Sequence, residues 1–157
     1  MTKNRFLPAS AAALVLAFAA AGCGGDDGGS NKTLSYSDFS KKANDICQKA
    51  EDDNKALGQT TTEEATPENG QLIGKLVNIV EKQRDDLEEL KAPDQLEAAK
   101  EEFVSITNQQ VDIAKEAQTA ANEEDQTSYE NAIKRLQALS GSANAAGSQL
   151  GAAACAR

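Results

Sequence analysis

The sequence predicts an all-α fold, an antiparallel up-down-up-down four-helix bundle spanning residues 35–157. Three observations predict it. Four stretches place apolar side chains at alternating steps of three and four, the spacing of a single helix face. Each stretch is bounded by helix start or stop chemistry, and the connections are mostly short, which makes successive helices antiparallel neighbours. No stretch alternates β-branched with polar residues, so no sheet is expected.

Helix one opens at Ser35-Tyr36-Ser37-Asp38, a capping box, with Leu34 and Phe39 placed as a hydrophobic staple across it. Phe39, Ala43, Ile46, Cys47, Ala50 and Leu57 then share one face, and Gly58 stops the helix. The polar segment 58–70 is longer than most connections in helical domains. Its threonines (Thr60, Thr61, Thr62, Thr66) are open to glycosylation or a partner, although a disordered loop alone accounts for such a composition. Thr66-Pro67 supplies an N-cap followed by proline in the first turn of helix two.

Helix two carries the cleanest pattern: Ile73, Leu76, Val80, Gln83, Leu87 and Leu90, broken chemically only at Gln83. Ala92-Pro93-Asp94 interrupts it, because proline disfavours a helical residue before it and starts a helix well. Helix three follows on Leu96, Ala99, Phe103, Ile106, Gln110, Ile113, Ala117 and Ala120, and the stretch NEEDQ ends it. Thr127-Ser128-Tyr129-Glu130 reads as a second capping box, opening helix four on Tyr129, Ile133, Leu136, Leu139 or Ser140, Ala143, Ala146 and Leu150. Gly141, Gly147 and Gly151 each cost on the order of 1 kcal/mol against alanine inside a helix, so this end frays unless something holds it. The alternative architecture is a long hairpin or an oligomeric coiled coil on helices two and three. Leu72, Val77, Ile79, Val104 and Val111, beside the stripe, suit burial on a wider face instead.

Ahead of the helices, Lys3 and Arg5 precede an apolar run from Phe6 to Ala21 and then small residues. That order is the order of a secretory signal. The run falls short of the roughly 20 residues that span a bilayer. Ala20-Ala21-Gly22-Cys23 resembles the lipobox of bacterial lipoprotein signal peptides, with Ala20 where such motifs usually carry leucine. The resemblance implies cleavage between Gly22 and Cys23 and a diacylglyceryl group on the Cys23 sulfur. Two acyl chains anchor stably where one binds only reversibly. The chain then divides into a signal peptide (1–22), a lipidated cysteine with a flexible tether (23–34) and a helical domain (35–157). The glycine-rich part of the tether would span roughly 17 Å as a coil.

With Cys23 assigned to lipid, Cys47 and Cys155 remain. In an exported chain an even pair reads as a disulfide, with two independent thiols as the alternative. Such a bridge would tie the C-terminal tail to helix one. The resemblance, to small bacterial lipoproteins that join a lipobox to a Cys-tied helical domain, is specific at residues 3–25 and a matter of pattern beyond. It implies a lipid-anchored protein on the extracytoplasmic face of the cell membrane, with a non-enzymatic role as an interaction or envelope-structural module.

Composition narrows the partners. The chain has 16 basic and 25 acidic side chains, a formal charge of −9; removal of residues 1–22 takes two bases and no acid, leaving −11. An acidic domain has no counterion-release drive toward nucleic acid, so no nucleic-acid partner is expected. The expected partners are the membrane, through the anchor on Cys23, and an envelope protein or cell-wall component. The absence of histidine removes the usual general base and the commonest metal ligand, so no catalytic residue, cofactor or metal is expected. The acid doublets, such as Asp85-Asp86 and Glu101-Glu102, point about 100° apart on a helix and read as solvated faces. Gln83 and Gln110 sit in apolar stripes at heights of about 13 and 27 Å from the turn near Ala92, in different layers. A pocket shared between them is therefore not expected. The alternative function is a small-ligand or sensor domain using the bundle interior, where alanine-rich faces of helices three and four would leave room.

Overall fold

The first helix, α1 (Tyr36–Ala56), starts where the capping chemistry places it. The Ser35 hydroxyl accepts the Asp38 backbone N–H at 3.1 Å and donates to the Asp38 carboxylate at 2.6 Å. Leu34 packs half-buried on the cluster containing Phe39, as a staple does, and its N–H donates to the Lys91 carbonyl at 2.9 Å. That bond sets the start of α1 beside the end of α2 (Pro67–Glu88), so the two helices run antiparallel. The computed structural model describes residues 32–58 and 64–157. The expected signal peptide, Gly22, Cys23, the tether up to residue 31, and Thr60, Thr61 and Thr62 lie outside the described residues.

Gly58 has a φ of +84°, the left-handed turn that ends α1 as expected. Thr66 caps α2, its hydroxyl accepting the Asn69 N–H at 3.2 Å, with Pro67 in the first turn. Gly70 is buried against Asn122 and Gln118, which lets the start of α2 close on the end of α3 (Asp94–Asn122). Salt bridges such as Glu81–Lys115 continue the antiparallel register of that pair. The longest helix, α3, packs against both α2 and α4 (Gln126–Gln149). The Arg135–Glu116 pair joins α3 to α4 across a short turn, and the result is the four-helix, all-α bundle that the periodicity predicts.

One boundary moves. The N-cap of α4 is Asp125, not Thr127. Glu124 adopts a φ of +57° as the chain leaves α3, which brings the Asp125 carboxylate onto Ser128: it accepts the backbone N–H at 3.1 Å and the hydroxyl at 2.6 Å. An ionised acceptor at a helix N-terminus outcompetes a neutral threonine hydroxyl, because charge assistance and the helix dipole both favour it.

The end of α4 is held rather than frayed. Leu150 is fully buried, and Gly151 turns the chain at a φ of +67°. The tail then doubles back along α1, ending in a single 3-10 turn, Ala153–Ala156. Ser40 donates to the Leu150 carbonyl at 3.0 Å, the Ala154 N–H donates to Asn44 at 3.0 Å, and Cys155 forms a disulfide with Cys47. The tail thus coils upward over roughly 10 Å of α1 instead of climbing it extended. Gly147 belongs to this arrangement. A Cβ there would collide with the Cys155 carbonyl, so its helix-weakening character is what admits the tail.

The core forms two clusters. In one, Phe39, Ala43 and Cys47 of α1 meet Leu87, Leu96, Phe103, Ala146, Leu150 and Cys155. In the other, Ile73, Val77, Val111, Ile113, Ala117, Ala121, Tyr129 and Ala132 come from α2, α3 and α4 alone. Val77, beside the expected stripe, is buried, whereas Leu76 on the stripe is only half-buried. Beyond Cys47, α1 contributes no buried side chain: Ala50 and, at the cap, Leu57 are half-exposed, contrary to their place in the expected stripe.

Candidate functional site

The segment Glu51-Asp52-Asp53-Asn54-Lys55 has no apolar side chain with which to close on the bundle. Opposite it, α4 presents Ser140, Ala143 and Asn144, all small or polar. Neither element fills the space between them, and a cleft of about 490 Å³ opens there, walled by all four helices and the tail. This volume lies within the range typical of small-molecule sites. Its position follows from the split core: Cys47, Phe103 and Cys155 of the first cluster bound it, and Val80, packed on the second, lines it too.

The cleft has an apolar floor and a lining that is polar, mostly uncharged. Leu76, Ile79, Val80, Phe103 and Ala143 supply the floor. Gln83 is held in place, its amide donating to the Cys47 sulfur at 3.0 Å. The hydroxyls of Thr107 and Ser140 donate to backbone carbonyls of their own helices, at 2.8 and 2.7 Å. Their oxygens keep acceptor capacity. Gln110 is half-buried, and its amide has no partner among the described residues.

The charged lining residues form one paired group. Lys55 and Arg157 both reach the Glu51 carboxylate, at 2.6 and 3.1 Å. The Lys55 ammonium above all, and then the Arg157 guanidinium, hold that carboxyl below its ordinary range in spite of partial desolvation. The triad ties the tail to the open half of α1 just beyond the disulfide.

The structure corrects one expectation here. Gln83 and Gln110 do stand at different heights, yet both line this cleft, which runs along the helices rather than across them. The height argument treats a pocket as one layer deep, and the missing apolar face of α1 spans several layers. The expected source of room is also only half right. The small residues of α4 border the cleft, whereas the α3 alanines Ala117, Ala120 and Ala121 are buried in the second cluster.

Cys47 and Cys155 are brought together as expected. Thr66 is occupied as a helix cap. One buried charged side chain carries no signal in the periodicity, and one tyrosine on the expected stripe of helix four takes its hydroxyl into the core. Lys100 sits on the buried side of α3 and donates to the Leu90 carbonyl at 3.1 Å while pairing with Glu97 at 3.0 Å, which seals the α2–α3 turn. Tyr129 is fully buried, its hydroxyl has no partner among the described residues, and burial pushes its pKa up. Among the described residues, no group of three or more cysteines and acids is placed to hold a metal ion, and no helix is long and apolar enough to cross a membrane. No protein-family model, curated protein or solved structure matches this chain.

Proposed function

We propose that this chain is a bacterial lipoprotein, held on the extracytoplasmic face of the cell membrane by acyl chains on Cys23. Its helical domain acts as a binding module, not an enzyme, and works through the cleft. The lipobox-like Ala20-Ala21-Gly22-Cys23 after a charged and then apolar leader supports the anchor. The observation that carries the binding role is the cleft itself: an apolar floor ringed by amides and hydroxyls, the composition of ligand sites. A purely partner-docking or envelope-structural role draws less support. It calls for an exposed apolar face, and among the described residues Tyr36, at 48% exposure, is the one large apolar side chain left open to solvent.

Two experiments test the halves of this reading separately. In cells fed a labelled fatty acid, the chain takes up label and fractionates with membranes, and Cys23→Ser abolishes both. Labelling that survives the substitution overturns the anchor. For the cleft, a small-molecule library is screened by thermal shift against the full chain and against Ser140→Trp. Ser140 is exposed on α4 at the cleft wall, so the indole fills the opening without entering the core. Stabilising compounds are expected, and their effect is lost in Ser140→Trp; an absence of hits, or hits that act equally on both, overturns the binding role.

A further inference from the structure

We infer that the cleft takes a neutral amphiphile, an extended aliphatic or isoprenoid body bearing an uncharged hydrogen-bonding head such as an amide or alcohol. The inference rests on the reading of the cleft as a binding site and concerns the chemistry of what enters it.

Shape comes first. Gln83 and Gln110 both line the cleft and lie nine residues apart in height, about 13 Å at 1.5 Å per residue. Leu76, Ile79, Val80 and Phe103 line the same opening. An extended apolar body of medium length covers such a floor, and removing both surfaces from water drives the association.

Charge decides the head group. Gln83, Thr107, Gln110, Ser140 and Asn144, which line the cleft, carry no charge, and the charged lining residues, Glu51, Lys55 and Arg157, pair with one another. An ion brought beside them surrenders hydration and meets no unpaired opposite charge, a loss that hydrogen bonds to amides offset only in part. The cations that line the cleft, Lys55 and Arg157, are already engaged by Glu51 and are 63% and 59% exposed, so water screens what remains of their field. A neutral head faces no such loss. The Gln110 amide, half-buried and without a partner among the described residues, offers it both a donor and an acceptor. Gln83 is less available, since one of its two amide donors is spent on the disulfide sulfur.

The test uses two probes of the same chain length, radiolabelled decanamide and decanoate, at neutral pH. Each is titrated into the full chain reconstituted in lipid nanodiscs, with uptake by empty nanodiscs subtracted. Decanamide is expected to bind about tenfold more tightly than decanoate, because an unpaired ion costs far more to bury than an amide. Gln110→Ala weakens decanamide about fivefold, the worth of one neutral hydrogen bond, and leaves decanoate unchanged. Ser140→Trp removes the binding of both, and melting curves of the two variants confirm that they are folded. Decanoate binding as tightly as decanamide, or Gln110→Ala acting on both alike, overturns the neutral-head inference while the binding reading stands. Binding of neither probe above empty nanodiscs overturns both.

Discussion

In the cluster built by α2, α3 and α4, the helices approach over small side chains: Gly70, Ala117, Ala121 and Ala132 let backbones come close around Tyr129. In the cluster built by α1 and the tail, larger side chains (Phe39, Leu87, Leu96, Phe103, Leu150) meet, and the fourth wall is a folded-back C-terminus rather than a helix face. The α2–α3–α4 cluster therefore closes by continuous helix packing between chain neighbours joined by short turns. The α1–tail cluster needs a segment from the far end of the sequence, 108 residues from its partner cysteine. Bringing such distant segments together costs loop-closure entropy that adjacent helices do not face, and a covalent tie removes that cost from the folding equilibrium.

Cutting the tie gives the largest expected effect. Cys155→Ser, or reduction of the oxidised protein, is expected to lower stability by about 4 kcal/mol, near the ceiling for a loop of this length. The loss centres on the α1–tail cluster. Hydrogen exchange then accelerates in α1 and the tail before it does in α2 and α3, and the melting temperature falls; a melting curve indifferent to reductant sinks the account.

Gly147→Ala tests the same wall without touching the sulfurs. The added methyl meets the Cys155 carbonyl, a backbone atom pinned by the disulfide, so the tail must shift. A destabilisation of about 1–3 kcal/mol is expected, as for overpacking elsewhere. Gly141, at an open position, provides the control: Gly141→Ala meets nothing and gains helix propensity. If the two substitutions act alike, the tail is not seated where the structure puts it.

The smallest effect sharpens the other cluster. Tyr129→Phe removes a buried hydroxyl that has no partner among the described residues and is expected to be neutral or stabilising, by about 1 kcal/mol. The pH dependence follows from the raised pKa. Burial favours the neutral phenol, so this contribution is intact below the ordinary tyrosine value of 10.0 and is lost as pH rises through the folded value. Thermal melts at alkaline pH should therefore separate the parent from Tyr129→Phe, the parent losing stability faster. Parallel curves would mean that the hydroxyl reaches water.

Most of the architecture was legible in advance because its causes are local. Ser35 and Thr66 cap the helices expected of them, Gly58 and Pro93 sit at breaks, and the three-four spacing marks the buried side of α3 with few exceptions. The cap of α4 was misplaced because Thr127 and Asp125 both suit the role, and the backbone turn at Glu124 chooses between them. The cleft was not legible, since a shared pocket between Gln83 and Gln110 was ruled out on height alone. Its cause is an absence, the lack of an apolar side chain on Glu51–Lys55, and absence on one helix says nothing about whether another element fills the gap.

By itself, then, the sequence determined four helices, their antiparallel order, and an acidic composition without histidine. These depend on spacing and on residues within a few positions of one another. Only the tertiary structure decided that the tail coils back over Gly147, that Tyr129 is buried without a partner among the described residues, and that the interior stays open between α1 and α4. Each of those outcomes depends on how well side chains distant in sequence fill a common volume, and volume is a property of the assembled fold.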